Sequence, residues 1–491
     1  MSFTSVRTLL AGAVITAGLN VGITPAHAGP MEDCDAFAAD PEDPARPARA
    51  PGVPFDQIRA NEAIAACEQA LAGLVEGDSA AGRMHFQLGR AFVAADQSVD
   101  AIPHYRAGAE AGHNGAQYNL GWLYENGAAG VRRDPAAAAR YYRPAADDGL
   151  PLAQYNLARL YEAGQGVPRN DRQAARLYER AADQGHAPSQ NNLAGLYRDG
   201  RGVQRNVGKA VELFESAVDA GDPTAANNLG LMYAQGVGVA TNDEEAVRLF
   251  RLATDGGAPS APTNLALMLE EGRGVERNPA EAARLYRIAV DRGDPTAAGN
   301  LAILYAEGSG VEQNDEEAVK LYRLAAERGS IDAMVSLGVM LQEGRGAEKD
   351  EAEAARLYRD AVASGNTTAA YNLAIMHESG VGVPKDEREA KRLYELAAAD
   401  GDSFANWALT MMLAEGRGSE ANPEEAAERA LAALRDPENT EARRTLIEER
   451  GASLPKDLRR AILDKLADEG LYPSNFDETA LGALEQWSNG S

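Results

Sequence analysis

Apolar residues recur at helical spacing along most of the chain, and the spacing itself repeats. In the stretch that begins at Asn300, Leu301, Leu304 and Tyr305 fall on one face of a first helix. Ala318, Leu321, Tyr322 and Ala325 then recur at i, i+3, i+4 and i+7, one face of a second helix. Gly308-Ser309-Gly310 lies between them, and glycine takes the positive φ that a helix terminus needs. Val311 is expected to fold this connector onto the core. Asn314-Asp315, followed by Glu316 and Glu317, is N-capping chemistry that also suits the helix dipole. Gly329 stops the second helix, and upstream Asp294-Pro295 opens the first with proline at the tolerated N1 position. Each unit is thus predicted to be a helix, a Gly-x-Gly connector, a capped helix and a glycine stop.

Aligned on the residue before the repeated leucine, the units start at Asn119, Asn156, Asn192, Asn228, Asn264, Asn300, Ser336, Asn372 and Ala408. The first step is 37 residues and the other seven are 36, the extra residue lying in Gly127-Ala128-Ala129-Gly130. So fixed a period marks an array in which each helix pair buries its apolar face on its neighbours. The prediction is an all-α solenoid of antiparallel helix pairs, with nine units over residues 116–434. Residues 79–115 hold a shorter hairpin, MHFQLGRAF followed by AIPHYRAGAEAG, which resembles a tetratricopeptide repeat. Residues 29–78 are expected to form an N-terminal arm, irregular over 35–54, and a capping helix over 55–74. Cys34 and Cys67, the two cysteines of the chain, are expected to pair and tie arm to helix. After Leu434 the period fails, and helices are expected over 457–469 and 478–487.

The units resemble the Sel1-like repeat family, a relative of the tetratricopeptide repeats. The pattern NLGxLYxxGxGVxxD…A…YxxAAxxG is matched with small departures by residues 119–149, 156–185 and 300–329. The resemblance implies a right-handed superhelix of helix pairs and a role in protein–protein interaction, often in bacterial envelope regulation or signalling. Ser336 and Ala408 replace the leading Asn, Ala347 and Ser419 replace the connector Val, and Thr254-Asp255-Gly256-Gly257 is expected to loosen one helix end. The tail over 435–491 distantly resembles a small peptidoglycan-binding domain through Leu466, Gly470, Tyr472, Phe476, Asp477, Thr479, Ala483, Leu484 and Trp487. It lacks the glycine-containing loop expected between Asp477 and Thr479, so a plain C-terminal cap is the favoured reading and a glycan contact the alternative.

Composition then narrows the partners. Charged residues make up 25% and the net charge is −26, which argues against non-specific nucleic-acid binding and against docking on anionic lipid. Residues 1–28 read as a secretory signal: Arg7 precedes an uncharged stretch from Thr8 to Ile23, and Ala26-His27-Ala28 fits the small-x-small cleavage pattern. Cleavage removes one base and no acid, so the net charge becomes −27. No later stretch is long enough to span a membrane. The expected location is periplasmic or secreted, where a disulfide persists.

No residue pattern points to catalysis, a cofactor or a metal. The six histidines are scattered, without metal-ligand spacing. The Gly-x-Gly connectors join helix to helix, not strand to helix, and so are not phosphate loops. The leading Asn is expected to bond backbone of its own or the next unit. The repeated tyrosine (Tyr178, Tyr286, Tyr322, Tyr358, Tyr394) alternates with Phe214 and Phe250, so packing is expected and its hydroxyl reads as dispensable. Arg292-Gly293-Asp294 spells an adhesion tripeptide at a place where the repeat requires a helix end and an N-cap.

The position before each leading residue varies while its neighbours do not: Tyr118, Tyr155, Asn191, Asn227, Thr263, Gly299, Val335, Tyr371 and Trp407. Such variation suggests a position outside the common core, on first helices that line a concave surface. Tyr and Trp are favoured interface anchors. Tyr118, Trp122, Tyr155, Arg159, Asn191, Asn227, Tyr371 and Trp407 are therefore the candidate partner-binding residues. The function expected is a non-catalytic protein- or peptide-binding scaffold of the bacterial cell envelope. A peptidoglycan-associated factor using the tail is the first alternative, and a hydrolase the second.

Overall fold

A computed structural model describes residues 29–128, 130–434, 446 and 454–468. The expected signal over 1–28, the helix over 478–487 and the glycan-binding resemblance beyond residue 468 lie outside them. The chain divides into two compact units, Met1–Ala258 and Pro259–Ser491.

In the first unit, α1 (Pro30–Ala38), a short 3-10 turn (Phe55–Gln57) and α2 (Ala60–Leu71) precede the hairpin α3 (Ser79–Ala94) and α4 (Ser98–Glu110). Four repeat pairs follow: α5 (Asn114–Asn126) with α6 (Pro135–Asp147), α7 (Pro151–Ala163) with α8 (Asp171–Ala182), α9 (Ala187–Asp199) with α10 (Val207–Asp219), and α11 (Pro223–Gln235) with α12 (Asp243–Asp255). The second unit holds α13 (Ala261–Glu271), α14 (Pro279–Asp291), α15 (Pro295–Glu307), α16 (Asp315–Glu327), α17 (Ile331–Glu343) and α18 (Glu351–Ala363). It continues with α19 (Thr367–Ser379), α20 (Glu387–Ala399), α21 (Ser403–Glu415), α22 (Pro423–Leu434) and α23 (Lys456–Asp468). From α3 to α22, odd numbers are first helices and even numbers second helices. Within each unit a first helix packs on its own second helix, which packs on the next first helix. Each unit is a solenoid of antiparallel helix pairs.

Local chemistry accounts for these boundaries. Asn170 accepts from the Gln173 amide at 3.1 Å and Asn314 from the Glu317 amide at 3.0 Å, so each satisfies an otherwise orphaned N–H of a second helix. Gly164 ends α7 in the left-handed region. The Asn170 amide then returns to the Tyr161 carbonyl at 2.9 Å, which closes the connector without loose backbone groups. Val167 packs on the core beneath it. The second connector glycine has a separate reason. At Gly166 (φ +68°) an added Cβ would lie 2.2 Å from the Pro135 carbonyl carbon, because the connector rests on the start of the preceding unit's second helix.

The core is built from small residues and one large ring per pair. Ala138, Ala145, Ala153, Leu157, Leu160, Ala174 and Leu193 surround the fully buried Tyr142 and Tyr178. Alanines let the helix backbones approach, and the ring fills the space that remains.

Three expectations are corrected. Residues 35–38 are helical, as the end of α1, because Pro30 and the acids Glu32 and Asp33 favour a helix start and Cys34 and Asp35 are buried. The next helix begins at Ala60 rather than at 55, since Ile58 is extended and only a 3-10 turn follows Pro54. The end at Gly256-Gly257 is not loosened: α12 runs to Asp255 and Gly257 takes a positive φ (+84°), as at the other second-helix ends. It is α13 that differs, starting at Ala261 so that Pro262 falls in its first turn. Cys34 and Cys67 form the expected disulfide. The helix expected over 457–469 is α23.

Candidate functional site

On the first unit, α5 and α7 place the largest group of the candidate residues together. Tyr118 and Trp122 lie one turn apart on α5, and Tyr155 and Arg159 one turn apart on α7. Tyr118, Trp122 and Tyr155 are half-buried, whereas the Arg159 side chain is 48% exposed. Arg159 lies over the Tyr155 ring, 5.8 Å from its centroid, and pairs with Glu125 of α5 at 3.4 Å.

The variable position is more committed to packing than its variation suggests, and this corrects the expectation. Tyr118 leans on the Tyr142 ring at 5.8 Å, and Tyr155 on Tyr178 at 5.9 Å and His186 at 5.1 Å. Asn191, Asn227 and Trp407 are buried outright. Asn191 accepts a hydrogen bond from Asn228 at 2.9 Å, joining α9 to α11. In the second unit Tyr371 rests on Tyr394 and Phe404, at 5.8 and 6.5 Å. Where the position is tyrosine, as at Tyr118, Tyr155 and Tyr371, the side chain packs on the ring of its own second helix.

A relay of three side chains runs beneath this face. Asn156 of α7 donates to the Tyr142 hydroxyl at 3.3 Å, and that hydroxyl donates to Glu125 at 2.7 Å. Asn192, Tyr178 and Glu162 repeat it at 3.1 and 2.9 Å. In the second unit Asn300 donates to Tyr286 at 3.3 Å, and Tyr286 to Glu270 at 2.8 Å. Asn156, Asn192 and Asn300 thus bond the tyrosine of the preceding pair rather than backbone, and there the hydroxyl is used rather than dispensable. The acceptor sits six residues after the leading position. Glu125, Glu162, Glu270, Gln342 and Glu378 serve Tyr142, Tyr178, Tyr286, Tyr358 and Tyr394. The pairs with Phe214 and Phe250 carry Arg198 and Ala234 there, so the acceptor disappears with the hydroxyl. Tyr322 stands apart, with Ala306 in that place.

The electrostatics follow from this burial. Desolvation first, then the Glu162 carboxylate, holds the Tyr178 phenol far above its ordinary value, and burial pushes Tyr118 up to about 12. These phenols are neutral hydrogen-bond donors, not bases. Glu162 spends its second oxygen on Arg201 at 3.0 Å, and Arg201 also grips Asp171 at 3.2 Å. An open cleft of about 530 Å³ lies between Glu125, Arg159, Glu162, Arg169, Asn192 and Arg201. Its lining is polar and already paired, which suits recognition and offers no activated nucleophile. Among the described residues no three His, Cys, Asp or Glu side chains are placed to hold a metal ion, and no helix is long and apolar enough to cross a membrane.

The sequence reading passed over Glu125, Glu162 and Arg201, although the co-occurrence of the acid with the tyrosine was there to be found. It also passed over Arg83, Gln87 and Arg90 on α3. Gln87-Leu88-Gly89 reads in register with Asn119-Leu120-Gly121, and a Cβ on Gly89 or Gly121 would lie 2.5 or 2.7 Å from the Tyr105 or Tyr142 ring.

Among solved structures, a protective antigen of uropathogenic Escherichia coli with an SLR fold is 26% identical, covering 86% of this chain and 97% of its own, with a TM-score of 0.46. A Sel1 repeat protein from Oxalobacter formigenes is 27% identical over 51% of this chain and 98% of its own, with a TM-score of 0.45. An immunity protein from Pseudomonas aeruginosa is 23% identical over 43% of this chain and 81% of its own, with a TM-score of 0.29. No curated protein matches the chain in sequence. The Sel1 repeat model matches nine segments: residues 115–150, 151–186, 187–222, 223–257, 259–294, 295–330, 331–366, 367–402 and 403–428. They amount to more than half of the chain, with the same one-pair period as the helices, and the chain belongs to the Sel1 repeat family.

Proposed function

We propose that this chain is a non-catalytic scaffold of the bacterial cell envelope that binds a protein or peptide on its first-helix face. Sel1 repeat proteins are in general protein-interaction scaffolds. The observation that carries the finer reading is the face of α5 and α7. By repeat register, half-buried Trp122 of α5 and half-buried Tyr155 and exposed Arg159 of α7 fall on the first helices, which Glu125 and Arg159 link at 3.4 Å, and Trp, Tyr and Arg are the side chains that most often anchor interfaces. The Cys34–Cys67 disulfide and the signal-like residues 1–28 support an oxidising, exported location.

The test is capture from envelope extract by the intact protein, compared with Trp122→Ala and Arg159→Ala, each checked for unchanged helicity. Loss of an anchor costs about 1–2 kcal/mol, so the specific partner should be depleted roughly tenfold. Equal recovery by wild type and both variants, with the fold intact, would sink the assignment of this face.

A further inference from the structure

The chain already carries a ligand on the equivalent face of its first hairpin. By the register that aligns Gln87 with Asn119, Phe86 holds the place of Tyr118 and Tyr155, and Arg90 that of Trp122 and Arg159. Arg90 lies over the Phe86 ring at 6.0 Å, as Arg159 lies over Tyr155 at 5.8 Å. The difference is occupancy. Arg90 is 5% exposed because the irregular, proline-rich arm between α1 and α2 lies on it.

The contacts show what the arm offers. Arg90 donates to the Ala38 carbonyl at 2.6 Å and the Val53 carbonyl at 3.1 Å, and pairs with Asp40 at 3.5 Å. Arg83 pairs with Asp35, and Gln87 donates to the same carboxylate at 2.7 Å. One helix further on, Asp43 meets His113, just ahead of α5, at 3.2 Å. The seat is continuous with the open face: α3 and α5 touch, and Phe55 and Trp122 pack against one apolar cluster. The arm residues 39–54 contain five prolines, the bases Arg46 and Arg49, and the acids Asp40, Glu42 and Asp43 grouped at its start, where Arg90 and His113 are met. Arg90 therefore holds one carboxylate and two carbonyl oxygens, from the C-terminal residue of α1 and from the arm that follows it.

Local charge points the same way. From the sixth residue after the leading position to the N-cap of the second helix, the four repeats of the first unit carry six arginines against four carboxylates. The five corresponding stretches of the second unit carry six cations against twelve carboxylates. Screening confines such effects to about 8–10 Å at physiological ionic strength, so this local balance outweighs the net charge of the chain.

We infer that the face formed by Trp122, Tyr155 and Arg159 binds an acidic, proline-containing segment of a partner in the manner of the arm on α3, with Arg159 taking its carboxylate and carbonyl oxygens. The inference rests on the face proposed above and adds the chemistry of its ligand.

The probe is a fluorescently labelled synthetic copy of residues 39–54. Its control is the same peptide with lysine in place of its three acids. Both are titrated against the intact protein by anisotropy, with wild type, Arg159→Glu and the milder Arg159→Gln, helicity being checked for each. The acidic peptide should bind wild type and lose at least ~10-fold in affinity with Arg159→Glu and less with Arg159→Gln, while the lysine peptide binds at least ~10-fold more weakly than the acidic one. No binding of the acidic peptide, or binding indifferent to both Arg159 variants, overturns the inference. If the lysine peptide binds as well and Trp122→Ala weakens it, the face is right and its acidic ligand is wrong.

Discussion

Asn156 of one repeat donates its side-chain amide to the hydroxyl of Tyr142 in the repeat before it, at 3.3 Å. The bond crosses the joint between consecutive helix pairs, and Glu125 completes it from below at 2.7 Å. A solenoid is held by such nearest-neighbour joints, so a hydroxyl inside one has an effect that can be compared with a hydroxyl outside one.

Tyr178 and Tyr105 give that comparison. The Tyr178 hydroxyl donates to Glu162 at 2.9 Å and accepts from Asn192 at 3.1 Å. The Tyr105 hydroxyl is equally buried and has no carboxylate to donate to, because Val93 stands where the acid would be. Tyr178→Phe should destabilise by about 1–2 kcal/mol, since it leaves Glu162 and Asn192 short of a partner, whereas Tyr105→Phe should be neutral or mildly stabilising. Urea titration with amide exchange across α7–α9 and α3–α4 reads both. Equal losses in the two variants would mean that the rings, not the hydroxyls, set the effect.

The same contrast separates a glycine that packs from one that only turns. Gly185 (φ +82°) has open space around its missing Cβ, while Gly166 (φ +68°) would drive a methyl into Pro135 at 2.2 Å. Gly185→Ala should cost about 1 kcal/mol from the left-handed backbone alone. Gly166→Ala should cost at least ~2–3 kcal/mol more, because the connector must lift off the preceding pair. The midpoint of thermal unfolding ranks the two, and a similar cost for both would remove the joint from the explanation.

Local rules made most of this fold readable. The caps at Asn170 and Asn314 and the αL stop at Gly164 are chemistry within a few residues of themselves, and the apolar period states which faces meet. What stayed hidden is set by distance along the chain. Asp35 meets Arg83 across 48 residues and Asp43 meets His113 across 70. No local pattern announces that an irregular arm will be folded back on α3. The packing of the variable position is hidden for a related reason. Tyr118 and Asn191 differ in chemistry, yet both are packed, and variation alone cannot separate a free site from one where neighbours compensate.

The histidine pair of the first hairpin sets an acid limit. His85 and His104 place their Nδ1 atoms 3.2 Å apart, and His104 stacks on Phe92 at 5.3 Å. Burial lowers both, the proximity of His85 lowers His104 further, and Glu76 and Asp100 oppose this in part. A folded value below the ordinary 6.5 means a contribution that is present above that pH and lost as the pH falls through the lowered values. Amide protection factors in α3 and α4, corrected for the intrinsic pH dependence of exchange, should therefore fall below pH 6.5 in wild type, and less in His104→Phe, which keeps the stack. The same pH profile in both proteins would exclude the pair as the cause.

The alkaline side has the opposite sign. Tyr118 is pushed up to about 12 by burial, and Tyr178 lies higher still in direction, from burial and Glu162. Raised folded values give a contribution fully present below the ordinary 10 and lost as the pH climbs through them. Difference absorbance titrations of wild type against Tyr118→Phe and Tyr178→Phe should show these two phenols silent at pH 10 and ionising only in the interval where far-UV ellipticity is lost. Ionisation at pH 10 with full helicity would contradict the buried relay.

Reduction of Cys34–Cys67 should act on the end of the array and stop there. The bond closes a loop with a sequence separation of 33, for which the chain-entropy account gives roughly 3–4 kcal/mol. That stabilisation belongs to α1 and α2, which sit on α3. Repeats contact only their neighbours, so the loss should decay along the chain rather than spread through it. With reductant, or in the Cys34→Ser, Cys67→Ser double variant, amide protection should fall in α1, α2 and the face of α3 around Arg90, while α9 to α12 keep theirs. Arg90 would then lose the ordered carbonyls of Ala38 and Val53 that it now holds. A uniform fall in protection through α12 would instead mean that the first unit unfolds as one block and that the arm is part of its cooperative core.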